Sequence, residues 1–176
     1  MDITLTSIGI VSIPRCTAAQ ACEPAMPINY GLLADIPDLQ IPSAAFKPYV
    51  LHQSIVSISG QLPVTGGKPA WVGRVPDQIS ADQAKEAAEL CMRNVLSCLK
   101  HACGGDFGKV ERCIRLGGFV YADRDFTDAP GIINVASQMA TAAFGDQGEH
   151  CRIAIGVASL PLGCPVEIEA TFTIRA

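Results

Sequence analysis

Near the end of the chain, residues 150–174 read HCRIAIGVASLPLGCPVEIEATFTI and contain two apolar stretches separated by Leu160-Pro161-Leu162-Gly163. In the second stretch, apolar and polar residues alternate with a period of two. The apolar set is Val166, Ile168, Ala170, Phe172 and Ile174, and the polar set is Glu167, Glu169, Thr171 and Thr173. This alternation predicts a strand with one face in a hydrophobic core and both glutamates on the other face.

The first stretch predicts another strand, with Ile153, Ile155 and Val157 on one side. On the other side, Arg152 heads a row of small residues, which leave room for a ligand. The separating residues have the chemistry of a chain reversal. We therefore expect the two strands to be antiparallel neighbours that bring Arg152 close to the glutamates.

Two helices are predicted upstream of these strands. Ser80 and Gln83 form a capping-box pattern, and apolar residues then recur at steps of three and four until Gly104-Gly105 ends the helix. A second helix begins near Asp128 and Pro130 and ends at Gly145.

Two further strands complete the pattern. A short one is predicted over 54–59, with a loop after Pro63. Another is predicted over 109–121, with Val110, Ile114 and Leu116 on one side. The order strand, helix, strand, helix, strand, strand indicates an α+β fold with both helices on one face of a sheet. Residues 1–45 contain five prolines and no sustained periodicity, which predicts an extended arm that can open with a short helix and is wrapped on a domain spanning 46–176.

Composition narrows the function classes. The chain has 176 residues, of which 49% are hydrophobic, and a net charge of −4 without a basic cluster, which argues against nucleic acid as a partner. No window approaches the roughly twenty apolar residues that a membrane span requires. Asp2 stands where a signal peptide would carry positive charge, so we expect a cytoplasmic protein. Its eight cysteines include no C-x-x-C pair, which indicates buried thiols rather than a zinc site.

Several fragments together resemble the RidA/YjgF family of small imine and enamine deaminases, from about Tyr49 to Ile174. The matching fragments are Ser59-Gly60-Gln61-Leu62-Pro63, Gln83 and Asn94, Asp125-Phe126, Arg152, Leu160-Pro161 and Val166-Glu167-Ile168-Glu169-Ala170. The longer N-terminal arm and the residues around Arg152 look like a separate branch of that family. The resemblance implies a chorismate-mutase-like (RidA-like) fold assembled as a homotrimer, with pockets between subunits.

The resemblance also implies roles for individual residues. Arg152 would hold a substrate carboxylate, and Glu167 would position water or move protons. The pocket would be lined by Tyr49, Ser59 and Gly60 and, in a looser match, by Asn134. His150 is a further candidate for substrate binding, which could gate the pocket or serve as an acid. No metal or organic cofactor is implied. Tyr49 could equally be a packing aromatic in a Pro-Tyr turn, and Asn134 a surface or cap residue of the second helix.

Two residues depart from the family pattern. Ala154 replaces a frequent cysteine, and His150-Cys151 replaces Pro-Ala. These departures leave the substrate open while retaining the pocket.

The leading hypothesis is hydrolysis of 2-aminoacrylate-like iminoacids to an oxo compound and ammonia, through a water activated by Glu167. One alternative is a pocket repurposed for cyclisation, isomerisation or hydrolysis of another small unsaturated molecule. Another is a non-catalytic trimer that binds a metabolite. The purely structural alternative is that Arg152 and Glu167 form an ion pair between adjacent strands, with Glu169 a structural or intersubunit charge.

Overall fold

The computed structural model describes residues 27–41 and 45–175 and shows a mixed sheet with two long helices on one face. The strands are β1 Tyr49–His52, β2 Ile55–Gln61, β3 Val64–Thr65, β4 Lys68–Pro69, β5 Val110–Tyr121, β6 Cys151–Val157 and β7 Val166–Ile174. The helices are α1 Tyr30–Leu33, α2 Ala81–Ala102 and α3 Ala129–Phe144. The main sheet has the order β1-β2-β7-β5-β6, while β3 and β4 form a separate hairpin. The predicted α+β class, with both helices on one face, is confirmed.

Local capping explains where the two long helices begin and end. The hydroxyl of Ser80 accepts from the Gln83 amide at 3.2 Å, while the Gln83 side chain accepts from the Ser80 amide at 3.0 Å. Asp128 accepts from the Gly131 amide at 3.1 Å at the start of α3, and Gly145 ends that helix. These capping residues are the predicted ones. Ser80, Gln83 and Asp128 accept from backbone donors that a helix start leaves unpaired, whereas the Gly145 amide donates to the Thr141 carbonyl oxygen at the end of α3.

The strand with the strict alternation, β7, lies at the centre of the sheet. Its residues alternate between buried and partly exposed along the whole of Val166–Ile174, as predicted. Phe172 and Ile168 are fully buried under the helices, while Glu167 and Glu169 lie on the opposite face, which no helix within residues 27–41 and 45–175 covers. We call this second face the open face of the sheet.

The predicted pairing of β6 with β7 is wrong. Strand β5 lies between them, pairing in parallel with β6 and antiparallel with β7. The residues after β6 do not form a tight hairpin: Leu162 and Gly163 have positive φ angles of 57° and 65°, and the chain crosses the end of β5 before β7 begins. A turn motif fixes the local reversal but not the strand that the chain pairs with next.

Three local predictions also need correction. Ile114 is 43% exposed and Cys113 is buried instead, because register shifts in β5 change which residues face the helices. Tyr49 opens a strand rather than a turn. The loop predicted after Pro63 contains the β3–β4 hairpin, whose two-residue strands are too short to produce a detectable alternation.

Part of the predicted arm lies within the described residues. Leu33 of α1 and Ile36 are buried against the core. Arg93 and Lys100 of α2 donate to the backbone carbonyls of Asp35 and Ile36, at 2.6 and 3.0 Å. Residues 1–26 and 42–44 of that arm lie outside the described residues, and its boundary at residue 45 stays a prediction.

Most of the described cysteines are core residues. The buried ones are Cys91, Cys98, Cys103, Cys113 and Cys164, and Cys151 is exposed. Burial raises the pKa of the Cys98 thiol to about 12 and that of Cys103 to about 11, so these thiols stay protonated at neutral pH. Their interpretation as small hydrophobic residues is confirmed, whereas Cys16 and Cys22 lie outside the described residues.

Candidate active site

Arg152 lies on β6, at the edge of the sheet, and points to the helix-covered face. Its register partner on β5 is Leu116, which is in turn paired with Ala170 of β7, and both partners are buried under the helices. Residues paired across strands share a face, so Ala154 and Gly156 follow Arg152 on the same side, as predicted. The guanidinium is therefore held beside α3 and next to a row of small residues.

Two side chains of α3 hold the guanidinium by one of its nitrogens. Nη1 of Arg152 donates to Oδ1 of Asn134 at 2.8 Å and to Oγ of Ser137 at 3.2 Å. Asn134 and Ser137 lie three residues apart and so share one face of the helix. Both hydrogens of Nη1 are thus used, whereas Nε and Nη2 make no hydrogen bond within residues 27–41 and 45–175. Those two nitrogens form the edge that can grip a carboxylate by two parallel hydrogen bonds.

His150 completes this cluster. Its Nδ1 lies 2.7 Å from the Gly148 carbonyl oxygen, and its Nε2 lies 3.0 Å from Oγ of Ser137. A carbonyl oxygen only accepts, so Nδ1 carries the hydrogen and Nε2 of the neutral ring accepts from the serine hydroxyl. Ser137 therefore receives a hydrogen bond from Arg152 and donates one to His150.

Sequence reasoning named three members of this cluster but missed Ser137. The signal was present in two spacings: Asn134 and Ser137 are separated by three residues on a helix, and His150 and Arg152 by two on a strand. Each spacing places its pair on one side of its element. Neither reveals that the helix and the strand meet.

Glu167 lies in a second cluster on the open face, above β2. Two residues of β2, Ser59 and Gly60, stand opposite the single residue Glu169 of β7, which makes a bulge between Ile58 and Gln61. A side chain at Gly60 would place its Cβ 1.8 Å from Oε1 of Glu167, so only glycine leaves space for this carboxyl group.

The surroundings of Glu167 disfavour its charged form. Burial raises the pKa of the Glu167 carboxyl group above its ordinary value of 4.5, and the neighbouring Glu169 charge raises it further. Glu169 itself lies 3.7 Å from Nη2 of Arg115. A proton is thus held more tightly on Glu167 than on an exposed glutamate.

Ser59 and Tyr49 make contacts with their own chain. Oγ of Ser59 donates to the Lys47 carbonyl oxygen at 2.8 Å, which ties the bulge to the residues before β1. The Tyr49 hydroxyl lies 2.7 Å from Nδ1 of His101 on α2, and their rings pack at 5.8 Å between centroids. Burial raises the pKa of Tyr49. His101 thus positions the tyrosine.

The candidate residues fall into three separate places in one chain. Arg152, Asn134 and His150 lie at the β6 edge, and Ser59, Gly60 and Glu167 lie over β2 and β7. Tyr49 lies on β1, four strand spacings of about 4.8 Å from β6. Because Arg152 and Glu167 occupy opposite faces of the sheet, the predicted proximity of these two residues within a chain is wrong, and so is the ion-pair alternative.

A cleft of about 470 Å³ lies at the other end of β6 from Arg152. Its lining includes Arg74, Asp123, Arg124 and Phe126. Arg74 already contacts Asp77 at 2.6 Å and Asp123 at 3.4 Å, so its charge is engaged by carboxylates of its own chain. This cleft brings together none of the predicted site residues.

The described residues offer neither a metal site nor a membrane-spanning helix. Residues 27–41 and 45–175 contain no group of three or more His, Cys, Asp or Glu side chains arranged to hold a metal ion. No helix in the same residues has the length and apolar character needed to cross a bilayer.

The fold and the positions of these residues define a mixed-sheet α+β protein with a polar cluster at one sheet edge. A family model described as "YjgF/chorismate mutase-like, putative endoribonuclease" matches residues 27–170, so the chain belongs to the YjgF family. This match begins within the predicted arm.

Individual relatives agree with this assignment. Protein TCP17 of Trypanosoma cruzi is 32% identical over 136 residues, which are 77% of this chain and 84% of that protein. The crystal structure of Atu1372 from Agrobacterium tumefaciens, a protein with unknown function, is 37% identical and superposes with a TM-score of 0.76, covering 83% of this chain and 92% of the other. The structure of E. coli TdcF with bound serine shares the fold at 21% identity and a TM-score of 0.56, covering 78% and 94%.

Proposed function

We propose that this protein is a hydrolytic deaminase of small imines and enamines that carry a carboxylate, such as 2-aminoacrylate-like iminoacids. The observation that carries the proposal is Arg152, whose Nη1 is anchored by α3 while its Nε–Nη2 edge faces no partner in the described residues. An anchored guanidinium loses little side-chain freedom when it binds a carboxylate. The amino acid serine bound in the related TdcF supports a ligand of this type.

The proposed site is completed between copies of the chain. Arg152 and Glu167 lie on opposite faces of one sheet, so they can serve one substrate only if the β6 edge of one copy meets the open face of another. A closed ring of three copies satisfies this head-to-tail contact and gives three equivalent sites. Ile155 on the open face is 42% exposed and provides apolar surface for such a contact.

The chemistry follows from these positions. Arg152 holds the substrate carboxylate and so places the C=N carbon beside a water molecule. Glu167 transfers protons between the attacking water and the imine nitrogen, a role that its raised pKa favours. Water adds to the carbon to give a carbinolamine, whose C–N bond then breaks to release ammonia and leave the oxo compound. Proximity and orientation supply most of the acceleration, since the reaction needs no strong nucleophile.

The test adds the purified protein to a 2-aminoacrylate-generating system and follows the release of ammonia and pyruvate. Arg152→Ala should lower kcat/KM by about 100-fold, because it removes two charge-assisted hydrogen bonds worth about 1.5 kcal/mol or more each. Arg124→Ala removes an exposed arginine away from this site and is the matched control. The proposal fails if the parent protein gives no acceleration or if Arg152→Ala behaves like the parent.

An RNA substrate is less well supported, although the family description includes the word endoribonuclease. The net charge of −4 opposes binding to a polyanion, whose affinity comes mainly from Lys and Arg contacts with phosphates. In the same assay series, RNA of mixed sequence should remain intact.

A further inference from the structure

The histidine between α3 and β6 has no part in the chemistry proposed above, although the structure holds its ring firmly. After α3, the chain makes a 3-10 turn over Gly145–Gly148 and then enters β6. A Cβ at Gly148 would overlap the backbone carbonyl group of Ala140, so this turn packs directly on α3. The Gly148 carbonyl oxygen accepts from Nδ1–H of His150 at 2.7 Å and thereby fixes the imidazole relative to the same helix.

Ser137 of α3 connects this imidazole with Arg152. Its hydroxyl hydrogen goes to Nε2 of His150 at 3.0 Å, and its oxygen accepts from Nη1 of Arg152 at 3.2 Å. A serine inside a helix can instead turn its hydroxyl back to a carbonyl oxygen of its own helix. Ser137 makes no such bond within residues 27–41 and 45–175, since Nε2 of His150 offers an acceptor on the side of β6.

We propose that His150 is a positioning residue for the carboxylate site and that, through Ser137, it holds Arg152 in the orientation that binds the substrate carboxylate. This inference rests on the proposed function and deepens it, because it assigns His150 to substrate binding rather than to proton transfer. The imidazole draws the serine hydrogen away from Arg152, so a lone pair of the hydroxyl faces Nη1. Without this acceptor the hydroxyl can turn back to α3, and Nη1 then loses one of its two partners.

Ser137 is the more firmly placed of the two side chains that hold Nη1. Asn134 is exposed, so water competes for its amide oxygen, which lies 2.8 Å from Nη1. Ser137 is half-buried, and His150 fixes the direction of its hydroxyl. Because a guanidinium is planar, two acceptors on one nitrogen set the plane of the group and the direction of its Nε–Nη2 edge. That edge points away from α3, where a carboxylate can reach it.

The proposed role predicts which kinetic constant should change. The substrate carboxylate keeps its charge throughout the reaction, so its contact with Arg152 contributes equally in the ground state and in the transition state. Loss of the His150 contact should therefore raise KM and leave kcat nearly unchanged. A general acid at His150 would instead lower kcat when it is removed, and a gate would affect charged and uncharged ligands alike. These three roles of His150 can thus be told apart.

The first test observes Arg152 directly and needs no ligand. In protein that contains isotope-labelled arginine, nitrogen NMR should show separate signals for Nη1 and Nη2, because an anchored Nη1 slows the rotation that exchanges them. Arg152→Lys identifies these signals by removing them. His150→Leu and Ser137→Ala should merge them, whereas His150→Gln should retain them, since its amide oxygen takes the place of Nε2. Separate signals in folded His150→Leu, or merged signals in the parent, overturn the inference.

The second test measures carboxylate binding by calorimetry, with pyruvate as the probe and pyruvamide as its uncharged counterpart. His150→Leu and Ser137→Ala should each weaken pyruvate binding by about fivefold, the loss expected for one hydrogen bond. In the Arg152→Ala background, His150→Leu should have no further effect, because the two residues act as a unit. His52→Gln removes an exposed histidine on β1 and should bind like the parent. Thermal unfolding of each variant checks that the fold is retained.

Turnover separates this inference from the proposed function. With 2-aminoacrylate, His150→Leu should raise KM by about fivefold and change kcat by less than about twofold. A large fall in kcat in both His150→Leu and His150→Gln would indicate an acid and overturn the positioning role.

The remaining outcomes are also decisive. If the parent hydrolyses no imine, the deaminase proposal fails, and the Arg152 signals and pyruvate binding still decide the role of His150. If the parent hydrolyses the imine but His150→Leu changes neither the Arg152 signals nor the Kd for pyruvate, the deaminase proposal stands and the positioning role is rejected. A parent that binds pyruvate no better than pyruvamide also rejects this role.

Discussion

At the scale of single residues, the position of the Glu167 carboxyl group explains why residue 60 is a glycine. A Cβ at Gly60 would overlap Oε1 of Glu167, so the glycine is the space into which the carboxyl group fits. The same close contact removes water from Glu167 and contributes to the burial that raises its pKa. The sequence indicated both residues through a family resemblance. It could not show their contact, because the bulge at Ser59-Gly60 that creates it depends on pairing with β7.

This environment predicts how Glu167 affects stability. Its pKa is raised in the folded protein, so its contribution to the free energy of unfolding is fully present below the ordinary value of 4.5 and is lost as pH rises through the raised value. Glu167→Gln should therefore unfold with a flatter pH dependence across that interval. Urea unfolding at a series of pH values measures this slope, and Glu111→Gln, at an exposed position, serves as the control. Identical slopes for the parent and Glu167→Gln would contradict the prediction.

At the scale of elements, local chemistry and long-range pairing differ in how well the sequence predicts them. Helix α2 was predictable because one continuous segment of the sequence contains both its capping residues and the regular spacing of its apolar residues. The extent of strand β5 was predictable, but which of its side chains face the helices was not. Its register shifts arise from pairing with β7, and they bury Cys113 and expose Ile114. Ser137 was missed because the sequence of a helix does not indicate which strand its side chains will contact.

The cap of α2 gives a quantitative prediction. Ser80→Ala removes the acceptor for the Gln83 amide and should lower the free energy of unfolding by about 1 kcal/mol. The measurement is chemical denaturation monitored by circular dichroism. Ser54→Ala, at an exposed position between β1 and β2, should change the stability by less than about 0.5 kcal/mol. Equal effects of the two substitutions would show that the cap hydrogen bond contributes little.

At the scale of the whole molecule, strand order decides what one chain can do alone. Through β5, Arg152 is in register with Ala170 of β7, which faces the helices, whereas Glu167 faces the other way, so the two side chains lie on opposite faces. The two strands were each predicted correctly, and the error lay in their arrangement, because the Leu160–Gly163 motif fits a hairpin and a crossing equally well. This arrangement is the reason that the proposed site requires more than one copy of the chain.

The proposed association predicts an oligomer that one substitution can dissociate. The parent should sediment at three times the mass of the chain, and Ile155→Glu should shift it to the monomer, because a charge would be buried on the open face. Leu32→Glu places the same charge on α1, away from that face, where Leu32 is 52% exposed, and should remain trimeric. A monomeric parent, or a trimeric Ile155→Glu, would reject this assembly.

The way in which Arg93 and Lys100 hold the residues before β1 has a practical consequence. Arg93 donates to the backbone carbonyl oxygen of Asp35, and Lys100 donates to that of Ile36. Every amino acid has a backbone carbonyl oxygen, so a substitution at these positions retains the acceptor. The exposed side chain of Asp35 can therefore be replaced, for example by a cysteine carrying a fluorescent dye, without removing the acceptor beneath it. A reporter attached there would leave the proposed site around Arg152 and Glu167 unchanged.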